Sequence, residues 1–445
     1  MSRQRWYANK GAIPHLENIA TFALPSADPG VVIATNLVAD RSVTPPALYQ
    51  VPLTFRRNRF PDAVEPITEV DGYLVFDGPT DPAFTHALLE LMIDSGALDS
   101  GGMTVTGHCA DSTFAASLVG AALISHVLVG DQSNTSIVYE PATQSGPSVI
   151  CKLFRGLQTG DNPDVVLQTA LAAAGSMAVP RPVGHLAAQW ADGATAGSRV
   201  RGHLAFAQEF LAHAHDGWRL ARAAAAAAID FSSEARALGV ATADVHATLA
   251  RAMPTTRTNP SDVEEVLAQM YGRLAAALAE VPALGSHDRA LREVFSQAAR
   301  AEWPAQQRIH GDLHLGQVLL VPGRGWVLVD FEGEPMRPMA ERTRLDSPLR
   351  DVAGMLRSFD YVGGSLSVTG SPVQTTDWVA SARAAFEEGY GDASGSDVVA
   401  NRALIDAFEI DKALYETVYE ARNRPDWLGI PVAALERLSA RPRAV

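Results

Sequence analysis

At 445 residues, 47% of them hydrophobic, the chain is long enough to bury a real core and to form about three domains or subdomains. Its net charge of −14, from 36 basic and 50 acidic residues, argues against non-specific nucleic-acid binding and against anionic membrane surfaces, so neither partner is expected. Cys109 and Cys151 give no disulfide framework or metal-spaced cluster, and no stretch reads as a secretory signal or a membrane span, so a cytoplasmic protein is expected.

The first hundred residues predict strands at 31–35, 47–55 and 73–76, short apolar or alternating runs between turn formers, then a helix over 82–95 with Phe84, Ala87, Leu88, Leu91 and Met92 on one face. The stretch 127–139 reads as strand, polar turn, strand. Another strand follows at 148–154, carrying Cys151 as a small core residue and Lys152 among apolar neighbours. A helix at 163–174 and strands at 185–190 and 204–210 complete a small lobe. From Asp216 the pattern turns helical, with an alanine-rich run at 220–228 and helices near 232–249, 262–280 and 290–302.

Ile309-His310-Gly311-Asp312-Leu313-His314-Leu315-Gly316-Gln317, followed by Val327-Leu328-Val329-Asp330-Phe331-Glu332, carries the chemistry. An aspartate in a loop, an amide five residues on and a second aspartate ending an apolar strand are the parts of a kinase-like phosphotransferase. Asp312 is the expected base. Gln317 and Asp330 offer oxygen ligands to a Mg²⁺ that bridges ATP phosphates. Glu332 is either a further ligand, direct or through water, or an acid behind one, and the sequence leaves both open. Lys152 is the expected phosphate partner. The polar turn Gln132, Ser133, Asn134, Thr135 and Ser136 offers backbone amides and hydroxyls to phosphates but lacks phosphate-loop glycines. Glu209 and Leu211 bracket a candidate adenine hinge. His310 reads as a structural hydrogen-bonder and His314 as a residue that could touch substrate. Asp351, in Pro348-Leu349-Arg350-Asp351, reads as a buried brace for the catalytic loop.

Near the end, one long helix carries Glu409, Asp411, Lys412, Tyr415, Glu416, Tyr419, Glu420, Arg422 and Asn423, with Trp427 after it. Acids, aromatics and an arginine at helical spacing suit a sugar pocket. A solvated charged face gives the same pattern.

Gln4-Arg5-Trp6-Tyr7-Ala8, the turn at 131–136, Cys151-Lys152-Leu153-Phe154-Arg155, Asn162-Pro163-Asp164, the catalytic loop, the 329–335 segment, the 347–359 segment and the long run from Asp411 to Pro431 resemble the actinobacterial maltokinases and the maltokinase-like glucosamine kinases. The resemblance runs nearly end to end. It implies an α+β, bilobal, aminoglycoside-phosphotransferase-like fold with a cap domain over 1–105, a nucleotide lobe over 106–212 and a helical lobe over 213–445. It also implies ATP and Mg²⁺ as cofactors and a sugar as substrate. Residues 132–136 and Lys152 would then meet phosphates, Asp312 would be the base, and the last long helix would line the sugar site. One departure matters: where maltokinases place a glutamate, two residues after Asp164, this chain has Val166. Tyr49-Gln50-Val51-Pro52-Leu53 reads closer to the glucosamine-kinase branch. The expectation is a kinase that makes glucosamine 6-phosphate, with Glu409, Asp411, Glu416 or Glu420 receiving the amine. The alternatives are a kinase that makes maltose 1-phosphate, an aminoglycoside kinase, and a non-catalytic nucleotide or sugar sensor. The sequence does not give the oligomeric state.

Overall fold

The computed structural model describes residues 4–10, 13–58, 64–100, 102–128, 134–143, 146–192, 197–334 and 337–441. Of the expected phosphate turn, Gln132 and Ser133 fall outside these residues. The chain forms two compact units, one of residues 1–169 with 180–212 and one of residues 170–179 with 213–445.

The first unit holds two antiparallel sheets. The first sheet contains β1 (Leu16–Leu24), β2 (Val31–Asp40), β3 (Ala47–Arg56), β4 (Thr68–Val70) and β5 (Tyr73–Asp77), in the order β1-β2-β3-β5-β4. Then come α1 (Pro82–Ile93), β6 (Ala97–Ser100), β7 (Met103–Cys109), α2 (Ser112–Leu118), β8 (Leu123–Val127), β9 (Thr135–Pro141), β10 (Val149–Leu153) and β11 (Gly156–Leu157), which pairs with β3. After α3 (Pro163–Ala173), β12 (Pro182–Ala191) and β13 (Arg199–Glu209) complete a second sheet ordered β6-β7-β12-β13-β10-β9-β8. Because β6 and β7 join the second sheet, the expected boundary at residue 105 falls inside a strand of that sheet, and the strand change comes after β5. Strand β1 and helix α2 were not expected. The first four residues of β1 are exposed, so it lacks the alternation that betrays a half-buried strand. Strand β8 ends at Val127, where the sequence suggested a strand would begin.

α1 has Asp81 as its N-cap, accepting from Ala83 N at 2.9 Å, and Pro82 in its first turn. Burial raises the Asp81 carboxyl, but the bidentate Arg56 guanidinium (2.7 Å twice) and the cap hydrogen bond outweigh it and hold the group below its ordinary value. Phe84, Leu88 and Met92 of α1 pack in one core with Phe22 and Ile33 of the first sheet and Val105, Tyr139 and Phe206 of the second. Cys151 lies in that core, where burial pushes its thiol up to about 12.

The second unit is mostly helical: α4 (Gly217–Ala226), α5 (Ser232–Ala252), α6 (Pro260–Glu280), α7 (Asp288–Arg300), α8 (Met339–Arg342), α9 (Leu349–Val368), α10 (Thr376–Ser394), α11 (Arg402–Asn423) and α12 (Gly429–Ala440). A small sheet joins β14 (His215–Asp216), β15 (Val318–Val321) and β16 (Gly325–Leu328). The alanine run is α4, capped by Asp216, which accepts from Arg219 N at 2.8 Å; it stops before Ala228, where φ is 53°. Helix α9 is buried on nearly every side, with Val352, Leu356, Phe359 and Leu366 in the core beside the charged Asp351, Arg357 and Asp360. Among the described residues no helix is long and apolar enough to cross a membrane.

Candidate active site

Helix α9 holds the catalytic loop at three points along one face. Asp351 accepts from His310 N (2.8 Å) and Gly311 N (2.9 Å), Gly354 lets Leu313 O approach, and Ser358 Oγ accepts from Leu315 N (3.0 Å). A Cβ at Gly354 would stand 2.7 Å from Leu313 O, so any larger residue would push the loop off the helix. The expected brace is therefore present, and it extends outward. His246 Nε2 meets Asp351 Oδ2 at 3.0 Å, and His246 Nδ1 meets the Tyr390 hydroxyl at 3.1 Å. Burial raises the Asp351 carboxyl, but His246 and the loop amides outweigh it and leave the group below its ordinary value. His310 Nε2 pairs with Val329 O at 3.0 Å, and its ring lies 4.5 Å from that of Phe331, tying the loop to the segment that carries Asp330.

Asp312 does not stand alone. Lys412 Nζ, from α11, donates to Asp312 Oδ1 at 2.9 Å and to Glu334 Oε1 at 2.7 Å. Arg337 Nε donates to Glu334 Oε2 at 2.7 Å. Burial lowers the Lys412 ammonium, but Asp312 and Glu334 outweigh it and hold it well above its usual value. Burial raises Glu334, but Lys412 and Arg337 hold it well below the usual carboxylate range. Arg342 is pulled below its usual value by burial, against the opposing field of Glu332, Asp312, Asp330 and Glu334. His314 Nδ1 accepts from Gly316 N at 3.0 Å, which leaves Nε2 as the protonated nitrogen, 4.0 Å from Asp312 Oδ2. Burial lowers its pKa, so the ring is neutral near pH 7. From the sequence Lys412 was named only among the polar residues of the last long helix, and Glu334 and Arg342 were not singled out. A lysine facing a helix-packed interior must find carboxylates, and Glu334 stands two residues past Glu332; those were the available signals.

Gln317 Nε2 reaches Asp330 Oδ2 at 3.0 Å. Asp330 has φ 65°, a left-handed backbone that costs a branched or acidic residue about 1–3 kcal/mol and is kept where the surroundings impose it. Carboxylate oxygens of Asp330 and Glu332 lie within 4.8 Å of each other. Two carboxylates meeting at one place form a hard-oxygen donor pair, with the Gln317 amide beside Asp330, and such a pair fits Mg²⁺ better than a softer ion.

In the sheet-rich unit, Lys152 Nζ donates to Asp164 Oδ2 at 3.1 Å, and Gln168 Nε2 holds Asp164 Oδ1 at 2.6 Å. The acid that Val166 fails to supply thus comes from two residues earlier on α3. Ser136 stands opposite Lys152 across β9 and β10. The Thr135 hydroxyl is taken by Arg155 Nε at 2.8 Å, and Asn134 precedes it at the start of the strand. Arg155 also lies under the Trp6 ring, 5.0 Å from its centroid, and bonds Asp77 at 2.5 Å, so the N-terminal segment, β5 and β9 share one guanidinium. Glu209 ends β13 and accepts from Arg181 N at 3.2 Å; Leu211 lies just before a turn at 212–213.

The acids of α11 are neither solvated nor open. Glu409 takes a bidentate Arg383 (2.9 and 2.8 Å), Glu416 takes Arg357 (3.0 and 2.7 Å), and Glu420 takes Arg424 (2.6 and 2.9 Å) and the Tyr361 hydroxyl (3.0 Å). Asp411 Oδ2 accepts from Arg273 and from Arg350 at 3.0 Å, whereas its Oδ1 has no hydrogen-bond partner among the described residues. Arg422 pairs with Glu280 on the surface (2.6 Å), and Trp427 stacks on Tyr361 with centroids 6.3 Å apart. The expectation that the four acids wait for an amine is corrected by these arginines. The α11 residues beside Asp312 are Lys412, Tyr415 and Asp411, which share with Glu334 a cavity of about 20 Å³, room for one water.

Residues 166–402 match the phosphotransferase enzyme family, and residues 1–81 match the maltokinase N-terminal cap domain. The chain is 28% identical over 400 residues to a glucosamine kinase of Mycolicibacterium smegmatis, covering 85% of this chain and 93% of that protein. It is 30% identical over 290 residues to a glucosamine kinase of Streptacidiphilus jiangxiensis, covering 60% of this chain and 64% of that protein. A solved glucosamine kinase in complex with glucosamine, ADP and inorganic phosphate has the same fold, at TM-score 0.69 and 22% identity, covering 97% of this chain and 95% of that one. The resemblance drawn from the motifs is thereby borne out, and the chain belongs to the phosphotransferase enzyme family, with a maltokinase-type cap domain at its N-terminus.

Proposed function

We propose that this protein is an ATP-dependent sugar kinase that phosphorylates glucosamine on its 6-hydroxyl. The observation that carries the kinase reading is the arrangement in the helical unit. The loop that carries Asp312 is fixed through the α9 brace, and the carboxylates of Asp330 and Glu332 meet beside the Gln317 amide. The acceptor comes from the two curated relatives, both glucosamine kinases.

In this reading Asp312 orients the acceptor hydroxyl and takes its proton late, as the bond to phosphorus forms. Lys412 holds the carboxylate in place through its 2.9 Å hydrogen bond to Asp312 Oδ1. Gln317, Asp330 and Glu332 would hold Mg²⁺, which neutralises phosphate charge when bound. Lys152, positioned by Asp164, meets the phosphates in the sheet-rich unit, with Asn134, Thr135 and Ser136 on the neighbouring strand. Cytoplasmic residence fits a kinase of this kind.

Maltose is the second reading, favoured by the cap match over residues 1–81. The sensor reading rested on Val166, and Asp164 answers it by supplying the lysine's acid. ADP release with Mg²⁺-ATP over glucosamine, glucose, N-acetylglucosamine, maltose and kanamycin separates these readings. Turnover on glucosamine alone is expected. Turnover on maltose or kanamycin alone would reassign the acceptor, and ATP binding without turnover on any of them would favour the sensor.

A further inference from the structure

Away from Asp312, the helical unit contains a cavity of about 1000 Å³, the upper end of the range for small-molecule pockets. It lies where α10 and α12 each pack on α9 and leave the space between them unfilled. Its bed is made of small residues. On α9, Gly363 and Gly364 let neighbours come close: a Cβ at Gly363 would stand 2.8 Å from Val379 Cγ2, and one at Gly364 would stand 2.5 Å from Ile430 Cγ1. Ala380, Ala384 and Ala433 line the open walls, and Val368 is 38% exposed there. None of these residues takes part in the catalytic arrangement.

One end of the cavity is charged. Four arginines line it, Arg383, Arg402, Arg437 and Arg441, and their four carboxylate partners, Glu409, Glu387, Asp360 and Asp406, are the more deeply buried member of each pair, so the exposed charge at that end is mainly guanidinium. Glu409 and Asp406 lie buried nearby and take bonds from Arg383 and Arg441. Arg437 grips Asp360 through two nitrogens (3.0 and 2.7 Å), and Arg402 grips Glu387 the same way (2.9 and 2.8 Å). A bidentate grip uses two of the five N–H groups of a guanidinium, so donors remain. The side chains of Arg402, Arg437 and Arg441 are 31%, 39% and 34% exposed. The paired carboxylates fix the guanidinium planes in advance, which lowers the ordering cost of receiving another anion.

We propose that this cavity binds an amphipathic organic anion, with an apolar body on the glycine-alanine bed and an acid group on the arginine end. The proposal is independent of the acceptor reading, because it uses none of the residues assigned to catalysis.

The probe is 8-anilinonaphthalene-1-sulfonate, whose fluorescence rises on an apolar surface. Its neutral counterpart is N-phenyl-1-naphthylamine. The full chain is titrated with both, then the Ala384→Trp and Ala433→Trp variants, which fill the cavity from opposite walls. Unfolding temperature and kinase turnover check that each variant is folded. The expected result is saturable binding of one sulfonate dye per chain, weakened at least tenfold by either tryptophan, with the neutral dye at least tenfold weaker than the anion on the unmodified protein. Sulfonate binding unchanged in both folded variants would place the dye elsewhere and overturn the proposal. Equal affinity for the neutral dye would remove the anion end and overturn it as well.

Discussion

Lys412 Nζ stands between two carboxylates, 2.9 Å from Asp312 Oδ1 and 2.7 Å from Glu334 Oε1. Phosphoryl transfer through a loose transition state asks for position and charge balance more than for base strength. The lysine supplies both, because it is itself anchored in α11.

Removing that ammonium leaves two carboxylates facing each other in a site largely closed to water. Lys412→Met is expected to cost about 3 kcal/mol of stability, the lower end for breaking a buried pair, since the lysine side chain is 20% exposed. Turnover should fall with it, and Lys412→Arg should recover most of the stability. Urea unfolding together with initial rates checks this; a methionine variant as stable and as fast as the parent would show that the pair is incidental.

The pH dependence follows from the signs of the shifts. Glu334 and Asp351 have folded-state values below their ordinary 4.5 and 3.8. Their stabilisation is complete above those ordinary values and is lost as pH falls further, toward the folded values. Lys412 lies above its ordinary 10.5, so its contribution is complete below about pH 10 and is lost only as pH rises through its higher folded value. Glu416 and Asp406 shift upward, chiefly by burial, and soften the acid side. His185, His203 and His314 are lowered chiefly by burial and lose their contribution as pH falls below about 6.5, so denaturant midpoints should be nearly flat only from about pH 7 to 9, decline below that and fall further below about pH 4, the last step more gently in Glu334→Gln, which has one fewer depressed carboxylate to protonate. An acid limb of equal steepness in that variant would contradict the assignment.

Asp164 is placed to orient Lys152. Asp164→Asn keeps the shape and removes the charge, so the KM for ATP is expected to rise about 10- to 100-fold, the worth of one charge-assisted hydrogen bond, with a smaller change in the acceptor KM. Val166→Glu in the same background tests whether a carboxylate two residues later restores the lysine. An unchanged KM for ATP in Asp164→Asn would detach this ion pair from nucleotide binding.

The grouping of Asp312, Gln317 and Asp330 was legible because these residues lie within one loop and the strands after it. Asp351 was legible for a related reason, since a buried acid in the first turn of a largely apolar helix needs donors close by. The acids of α11 were misread. At helical spacing, a solvated face, a ligand face and a face of buried ion pairs give the same pattern. The arginines that decide among them, Arg273, Arg350, Arg357 and Arg383, sit on other helices, at no fixed distance along the chain. Lys412 was hidden by the same ambiguity. The membership of β6 and β7 in the second sheet was not legible because they look like any short strand pair, and only the pairing of β7 with β12 assigns them to that sheet.

The most direct test of the account is ADP release by Asp312→Asn with saturating glucosamine and Mg²⁺-ATP, set beside the parent and beside ATP binding measured by calorimetry. The account predicts a rate about 10² to 10⁴ lower with ATP affinity nearly unchanged. An asparagine variant that turns over glucosamine at the parental rate would contradict it, because the base would then lie elsewhere.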